Sequence, residues 1–110
     1  MFNVYTQRAT AANGAVAMTI APVLPWELEE VRVHLNAVGG AGDLTMTQDA
    51  NAGAAYDAVL VTQDMTAITD LVYIPERPPV FENGDKLVIA WANASNRTYG
   101  VEVKYTLRAV

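Results

Sequence analysis

"FENGDKLVIAWANASNRTYGVEVKYTL", residues 81–107, contains the two most regular strand patterns of this chain. In its second half, apolar side chains occupy every other position. They are Tyr99, Val101, Val103, Tyr105 and Leu107. A period of two residues predicts a strand that buries one face and exposes the other. Residues 99–107 are therefore predicted to form a half-buried strand.

The first half of the same stretch is apolar on both faces of its predicted strand. Leu87, Ile89 and Trp91 share one face, and Val88, Ala90 and Ala92 share the other. Such a strand is typical of the middle of a sheet whose second side is also covered. "ENGD" predicts a tight turn before this strand, and the polar segment "NASNRT" predicts a loop after it. The two strands are thus predicted to pair as a β-hairpin.

The strand predicted at residues 26–36 changes phase along its length. Trp26 and Leu28 stand at even positions, whereas the apolar residues from Val31 onward stand at odd positions. One extra residue in a strand shifts the pleat by one position. A β-bulge at residues 29–30 would therefore return all these side chains to one buried face.

Shorter strand patterns recur through the rest of the chain. They lie at residues 2–7, 15–20, 44–48, 56–63 and 68–74, separated by turn-rich segments such as "VGGAGD" and "PERPP". About eight short strands with Gly and Pro punctuation predict an all-β fold, an antiparallel two-sheet sandwich. A jelly roll is preferred over an immunoglobulin-like sandwich, because the Cys and Trp spacing of immunoglobulin domains is missing. We expect residues 1–110 to form a single domain.

Composition excludes several classes of partner. The net charge is -5 and only seven Lys and Arg residues are present, which argues against nucleic acid as a ligand. The apolar runs are far shorter than the ~18 residues that span a bilayer, and the N-terminus lacks the pattern of a signal peptide. We therefore expect no membrane partner and synthesis in a cytoplasm. Charged residues make up 17% of the chain, below the ~25% usual for soluble domains, so a partner is expected to cover part of the surface.

The sequence offers little material for catalysis. No cysteine is present, and His34 is the only histidine. On its strand His34 has the same parity as Arg32 and Asn36, which predicts a solvated side chain. A metal centre of cupin type requires several converging ligands, so a single histidine argues against that class of enzyme. Ser95 is the only serine and lies outside any elbow motif. We expect no catalytic residue, no metal and no cofactor.

Other polar residues have a structural and a functional interpretation. Asp43, Asp49, Asn51 and Asp57 offer oxygen ligands for calcium, but their spacing does not match a calcium-binding loop, and such residues commonly cap turns. The adjacent glutamates at residues 29–30 point to opposite faces unless the bulge intervenes, and a solvated or edge-protecting role is favoured over acid–base chemistry.

Asn93 and Asn96 begin the tripeptides "NAS" and "NRT", which match a glycosylation sequon. A sequon matters only on a eukaryotic secretory route, and the sequence shows no signal for one. We therefore interpret both as turn residues.

Exposed aromatic residues would favour contact with a partner or a glycan. Trp91 and Tyr105 lie on apolar strand faces and are predicted to pack in the core, whereas Tyr5 and Trp26 are less constrained. Residues 1–13 either form an N-terminal arm that pairs with a neighbour's sheet edge or supply the first strand of the domain's own sheet. The candidates for partner contact are Phe2, Tyr5, Arg8, Trp26 and Arg77.

The segments "YDAVLVTQDM", "FENGDKLVIAWAN" and "TYGVEVKYTL" resemble small jelly-roll virion proteins of tailed bacteriophages. In those proteins a Gly-Asp turn introduces the closing strands, and an asparagine often ends the penultimate strand. The corresponding residues are Gly84, Asp85 and Asn93. The similarity runs from about residue 26 to the C-terminus.

This resemblance implies a non-enzymatic structural protein of the virion, located on the capsid surface or in the head–tail region. It implies a capsid decoration or cementing protein that binds between major capsid subunits, or to another virion protein, and often assembles as a homotrimer. An alternative from a different class is a tail-associated or carbohydrate-binding recognition module. Solvent exposure of Trp26 would favour that alternative.

Overall fold

The computed structural model describes residues 3–108, and these residues form nine β-strands and one short 3-10 turn. The strands are β1 (Val4–Ala11), β2 (Val16–Ile20), β3 (Trp26–Leu35), β4 (Asp43–Asp49), β5 (Ala58–Asp64), β6 (Asp70–Tyr73), β7 (Val80–Phe81), β8 (Lys86–Trp91) and β9 (Tyr99–Leu107). The 3-10 turn, Ala54–Tyr56, precedes β5. Within residues 3–108, no helix is long and apolar enough to cross a membrane.

The strands build two antiparallel sheets that pack face to face. Sheet A has the order β1-β9-β3-β6, with β7 also paired to β3. Sheet B has the order β2-β8-β4-β5. Consecutive strands such as β1 and β2 lie in different sheets, an arrangement compatible with a jelly roll. The all-β two-sheet sandwich predicted from the sequence is therefore confirmed.

The core lies between the two sheets and follows the alternation of the sequence. Val101 and Val103 of β9 are buried, whereas Glu102 and Lys104 lie on the opposite face. The buried apolar residues are Val16, Met18, Ile20, Trp26, Leu28, Val31, Val33, Leu35, Leu44, Met46, Met65, Phe81, Leu87, Ile89, Trp91, Tyr99, Val101 and Val103. Strands β2, β3 and β4 contribute to this list, as do β8 and β9. The inner faces of the two sheets therefore form one continuous core.

The predicted hairpin of the last two strands is wrong. The strand β8 pairs with β2 and β4 in sheet B, and β9 pairs with β1 and β3 in sheet A. Both strands carry a fully apolar face, and in a sandwich two such faces can meet across the core instead of side by side. The loop between them therefore crosses from one sheet to the other.

Asn93 fixes this crossing loop. Its side-chain amide donates hydrogen bonds to the carbonyls of Gly14 at 2.8 Å and Arg97 at 2.9 Å, and its Oδ1 accepts one from the Arg97 N–H at 2.8 Å. Asn93 and Asn96 both have positive φ, 52° and 54°, which asparagine tolerates better than most residues. Their interpretation as turn residues is confirmed.

The predicted bulge in β3 is present. The register of β3 against β9 shifts between Leu28 and Glu30. On either side of the shift, Leu28 and Val31 are both fully buried. Because of the bulge, Glu29 and Glu30 both remain at the sheet surface, where Glu29 accepts a hydrogen bond from Thr106 at 3.0 Å.

Strand β1 forms one edge of sheet A. Residues Val4–Ala11 pair with β9 along their whole length, so they form the first strand of the domain's own sheet. An arm reaching a neighbouring molecule stays a hypothesis for residues 1–13. The opposite edge of sheet A is interrupted, because β6 and β7 are separated by a segment containing Pro75, Pro78 and Pro79.

Trp26 is a core residue, and its predicted availability to a partner is wrong. Its exposed fraction is 0%, and its ring stacks on Phe81 with a centroid distance of 4.0 Å. The ring of Tyr105 meets it edge-on at 5.4 Å. Trp26 is buried because it lies on the inner face of β3, within the core between the two sheets, and its cross-strand neighbours Phe81 and Leu107 flank it on both sides.

We predict that Trp26→Ala lowers the free energy of unfolding by about 3–5 kcal/mol, because it removes a buried indole and its two aromatic partners lose contact. Urea denaturation followed by far-UV circular dichroism measures this change. Val72→Ala, at an exposed position of β6, is the control and should change stability by no more than about 0.5 kcal/mol. Equal effects of the two variants would contradict the assignment of Trp26 to the core.

Candidate functional site

The outer face of sheet A carries a network of charged side chains. Arg8 of β1 contacts Glu102 of β9 at 2.7 Å, and Arg32 contacts Glu30 at 2.9 Å. Lys104 lies 3.8 Å from Glu30 and 3.7 Å from Glu102. The Arg8 guanidinium donates a hydrogen bond to Glu102 and holds the pKa of that carboxyl below its usual value. These positions alternate with buried ones, which is why the charges gather on a single face.

A shallow concavity of about 550 Å³ lies in this charged face above Gly100. Gly100 has no side chain, and its cross-strand neighbours Thr10 and His34 border the gap. His34 is exposed and its Nδ1 lies 2.6 Å from Asp70 Oδ1. This hydrogen bond lowers the pKa of the Asp70 carboxyl. The predicted solvated position of His34 is therefore the one observed. The two arginines beside the gap, Arg8 and Arg32, are each paired with a glutamate.

The outer face of sheet B is uncharged. In the middle of this face, each of the four strands contributes two outward side chains, which form two cross-strand rows. One row is Ala17, Ala90, Thr45 and Thr62, and the other is Thr19, Val88, Thr47 and Val59. Charged residues border this face only at its ends, where Asp43 pairs with Asp64 and Asp49 pairs with Lys86. We call these eight residues the uncharged face.

The apolar second face predicted for β8 belongs to this surface. Val88 and Ala90 are half-buried, and they are flanked by small side chains of β2 and β4. The position of β8 in the middle of its sheet is confirmed. Within residues 3–108 the flanking side chains alone shield it, so a covering layer from outside the domain stays a prediction.

A second hollow, of about 400 Å³, lies between the β4–β5 loop and the turn before β8. Asp85 stands beneath it and is 6% exposed. Its Oδ1 accepts a hydrogen bond from the Asn51 N–H at 2.9 Å, and its Oδ2 accepts from the Glu82 N–H at 2.9 Å and from Gln48 Nε2 at 3.3 Å. One carboxylate therefore joins the loop and the turn that form the two walls.

Burial and hydrogen bonding shift the pKa of Asp85 in opposite directions. Desolvation is the largest influence and raises the pKa, but the hydrogen bonds from the backbone of Asn51 and Glu82 and from Gln48 together outweigh it. The net result is a pKa below the usual value of an aspartate. Asp85 is thus an ionised anchor of the fold, as its place in the Gly-Asp turn suggests.

Gly84 completes this turn. Its φ is 90°, a region that other residues rarely adopt, and a Cβ at this position would lie 2.8 Å from Cγ of Asn51. Glycine therefore allows the Asn51 side chain to lie directly on the turn. Gly84 and Asp85, which carry the resemblance to phage virion proteins, both have a structural role here.

The predicted partner-contact residues are spread over the molecule. Tyr5 and Arg8 are exposed on β1, and Tyr5 stacks on Tyr105 with a centroid distance of 5.7 Å. Arg77 is exposed in the segment between β6 and β7. Trp26 is buried, and Phe2 lies outside the described residues. The structure therefore brings only Tyr5 and Arg8 onto a common strand.

The oxygen ligands considered for calcium do not converge. Asp43 and Asp49 lie at opposite ends of β4, Asp57 Oδ1 accepts a hydrogen bond from the Ala50 N–H at 2.8 Å, and Asn51 lies over Gly84. Among residues 3–108, no three His, Cys, Asp or Glu side chains are grouped as metal ligands. Asp57 thus behaves as a turn-capping residue.

The hollow above Asp85 was missed by sequence reasoning. Its walls include Tyr56, which the pattern placed at the start of a strand but which ends the 3-10 turn instead, 71% exposed. The turn residues "DANAG" immediately upstream were the available signal, since a loop of this composition delays the start of the next strand.

Comparison with known proteins identifies the fold and no family. The chain is similar to PirA, with a TM-score of 0.51 and 14% sequence identity over 91% of this chain and 93% of that one. It is also similar to a chain in the structure of infectious bursal disease virus, Gx strain, with a TM-score of 0.44 and 13% identity over 96% of this chain and 32% of the viral chain. No protein-family model and no curated protein matches the sequence. At this identity, the likeness to PirA shows a shared β-sandwich fold.

We predict that Asp85→Asn lowers the free energy of unfolding at neutral pH by about 1–3 kcal/mol, because the amide places a donor against backbone donors. The depressed pKa of Asp85 stabilises the fold above the unfolded-state pKa of about 3.9, and this contribution is lost as the pH falls through the folded-state pKa. The difference between the two proteins should therefore shrink below about pH 4. Denaturant unfolding between neutral and acidic pH measures it, and a difference that grows on acidification would contradict this account.

Proposed function

We propose that this protein is a non-enzymatic structural component of a virion, a capsid decoration protein that binds between major capsid subunits and stabilises the shell. Two lines of support come together in this proposal. The sequence from about residue 26 onward resembles small jelly-roll virion proteins of tailed bacteriophages. The uncharged face of sheet B provides a surface suited to protein contact.

The uncharged face is the observation that carries the proposal. Interface centres are depleted in charged residues, whereas interface rims are polar and accessible. On this domain, Ala, Thr and Val side chains occupy the middle of the sheet, and Asp43, Asp49, Asp64 and Lys86 lie at its ends. The outer face of sheet A instead carries a network of paired charges across β1, β9 and β3, beside the exposed Val4 and Val72. The middle of the outer face of sheet B thus has the composition of an interface centre, whereas the outer face of sheet A has the charged composition of a solvent-exposed surface.

The shape of the domain is consistent with a shell-binding role. Its principal extents are 43 × 33 × 23 Å, so it is a flat body with a sheet on each broad side. Docking through sheet B would leave the charged face of sheet A toward solvent. The proposal includes assembly as a homotrimer. Sedimentation equilibrium of the purified protein measures whether this trimer forms in solution.

Carbohydrate recognition was the alternative from another class, and exposure of Trp26 was the feature that would favour it. Trp26 is buried, so this feature does not support a glycan platform on β3. The exposed Tyr5 is engaged in a stacking contact with Tyr105 on sheet A. Shell binding through sheet B is therefore the function that the geometry supports best.

We predict that purified protein binds undecorated, expanded phage heads stoichiometrically and raises their melting temperature. Thr19→Lys combined with Val59→Lys places two charges at exposed positions of the uncharged face, on the edge strands β2 and β5. A single buried, unpaired charge costs about 3 kcal/mol or more, so even if only one of the two lysines is buried the affinity should fall at least about 100-fold. Cosedimentation with heads and scanning calorimetry of the heads are the two measurements.

The matched control is Thr6→Lys combined with Val72→Lys, which makes the same chemical change at exposed positions of β1 and β6 on the outer face of sheet A. This variant should bind heads like the natural protein. Absence of binding by the natural protein would contradict the decoration role. Equal loss in both variants would contradict the assignment of the binding surface to sheet B.

A further inference from the structure

We propose that the hollow above Asp85 is a binding site for a neutral pyranose sugar. The hollow lies at one end of the sandwich and is separate from the uncharged face. Its volume of about 400 Å³ falls in the lower part of the range of ~300–1,000 Å³ typical of small-molecule sites. The inference does not depend on the proposed role in the capsid.

Tyr56 supplies an aromatic surface at this hollow. The residue is 71% exposed although it belongs to a hydrogen-bonded turn, in which the Tyr56 N–H donates to Gly53 at 3.0 Å and the Asp57 N–H donates to Ala54 at 3.2 Å. Because the turn fixes the backbone and a tyrosine side chain has only two rotatable χ angles, little conformational entropy is lost when the ring binds a ligand. The C–H face of a pyranose packs on such a ring, while the phenol hydroxyl stays in water.

The walls also carry polar groups that the protein itself does not use. Within residues 3–108, no hydrogen bond of the protein engages the side chains of Asn51, Asn83 or Glu82, and all three line the hollow. An amide offers both donors and an acceptor, and a carboxylate offers acceptors only. Neighbouring sugar hydroxyls present the complementary mixture of donors and acceptors. A few polar groups beside an apolar surface are what a specific small-molecule site requires.

The two walls are held in place before any ligand arrives. Asp85 accepts hydrogen bonds from the N–H groups of Asn51 on one wall and Glu82 on the other, both at 2.9 Å. Asp57 accepts a further hydrogen bond from the N–H of Ala50. Because the buried carboxylate fixes both segments, binding does not have to order them, which lowers its cost.

Charge and size narrow the class of ligand. Glu82 and Asp85 give the lining a negative character, and no Lys or Arg is among the described lining residues. Sialic acids and uronic acids would therefore be repelled. The small side chains of Ala50 and Ala52 line the same hollow as Tyr56. These features favour a neutral hexose or N-acetylhexosamine.

Titration of the full chain, labelled with nitrogen-15, with glucose, galactose, mannose and N-acetylglucosamine tests this inference. We expect at least one sugar to shift the amide signals of residues 50–57 and 82–85 with an affinity near the millimolar range. Tyr56→Ala and Asn83→Ala should each weaken binding about tenfold or more. Both residues are exposed, so neither variant should lose the fold. Tyr5→Ala, which removes an exposed aromatic ring from sheet A, is the matched control and should bind as the natural protein does.

No shift with any of the four sugars at roughly 50 mM, far above a millimolar dissociation constant, would overturn the inference. Binding that Tyr56→Ala leaves unchanged would overturn it as well. N-acetylneuraminic acid is titrated in parallel, and tighter binding of this anionic sugar than of the neutral ones would also overturn the inference. Tyr56→Ala should still bind phage heads like the natural protein, because Tyr56 lies outside the uncharged face. Failure of the sugar site and failure of the decoration role are therefore separate results.

Discussion

The bulge between Leu28 and Glu30 is the constraint on which the rest of this structure depends. Strand β3 pairs with β9, β6 and β7, so it sets the register of most of sheet A. Without one extra residue, Trp26 and Leu28 would face solvent whenever Val31 and Val33 faced the core. With it, ten residues of strand present one unbroken apolar face to sheet B. The cost is a local interruption of pairing, which is placed at two glutamates that remain at the surface.

The alternation of side chains along the strands also gives the two outer faces different compositions. On sheet A, every outward position along β9 after Gly100 is polar. Glu102 lies between Arg8 of β1 and Arg32 of β3, and Lys104 lies beside Glu30 of β3. On sheet B, the outward positions hold Ala, Thr and Val. Exposed ion pairs contribute little to stability, so the network on sheet A serves mainly to keep that face solvated. A domain with one solvated side and one neutral side has a defined orientation toward any partner it binds.

Periodicity in the sequence was enough to predict the sandwich, the bulge, and the bounds of β9, because each of these follows from which side chains must avoid water. It was not enough to predict which strands are neighbours. The apolar faces of β8 and β9 would suit a hairpin as well as opposite sheets, and only the rest of the core decides between them. Trp26 was misjudged for a related reason, since its burial depends on Phe81, which is distant in sequence and lies in the two-residue strand β7. The hollow above Asp85 joins residues more than thirty positions apart, as the hydrogen bond from Asn51 to Asp85 shows, and no local pattern reports such a contact.

The proline-containing break between β6 and β7 has a further consequence for how copies of this domain can meet. Proline has no backbone N–H, and an edge that is split into four residues and two residues offers no continuous ladder of donors and acceptors. Open-ended growth through one sheet requires two usable edges of that sheet. Sheet A retains only the β1 edge, so a chain of copies joined edge to edge through this sheet would stop at a pair.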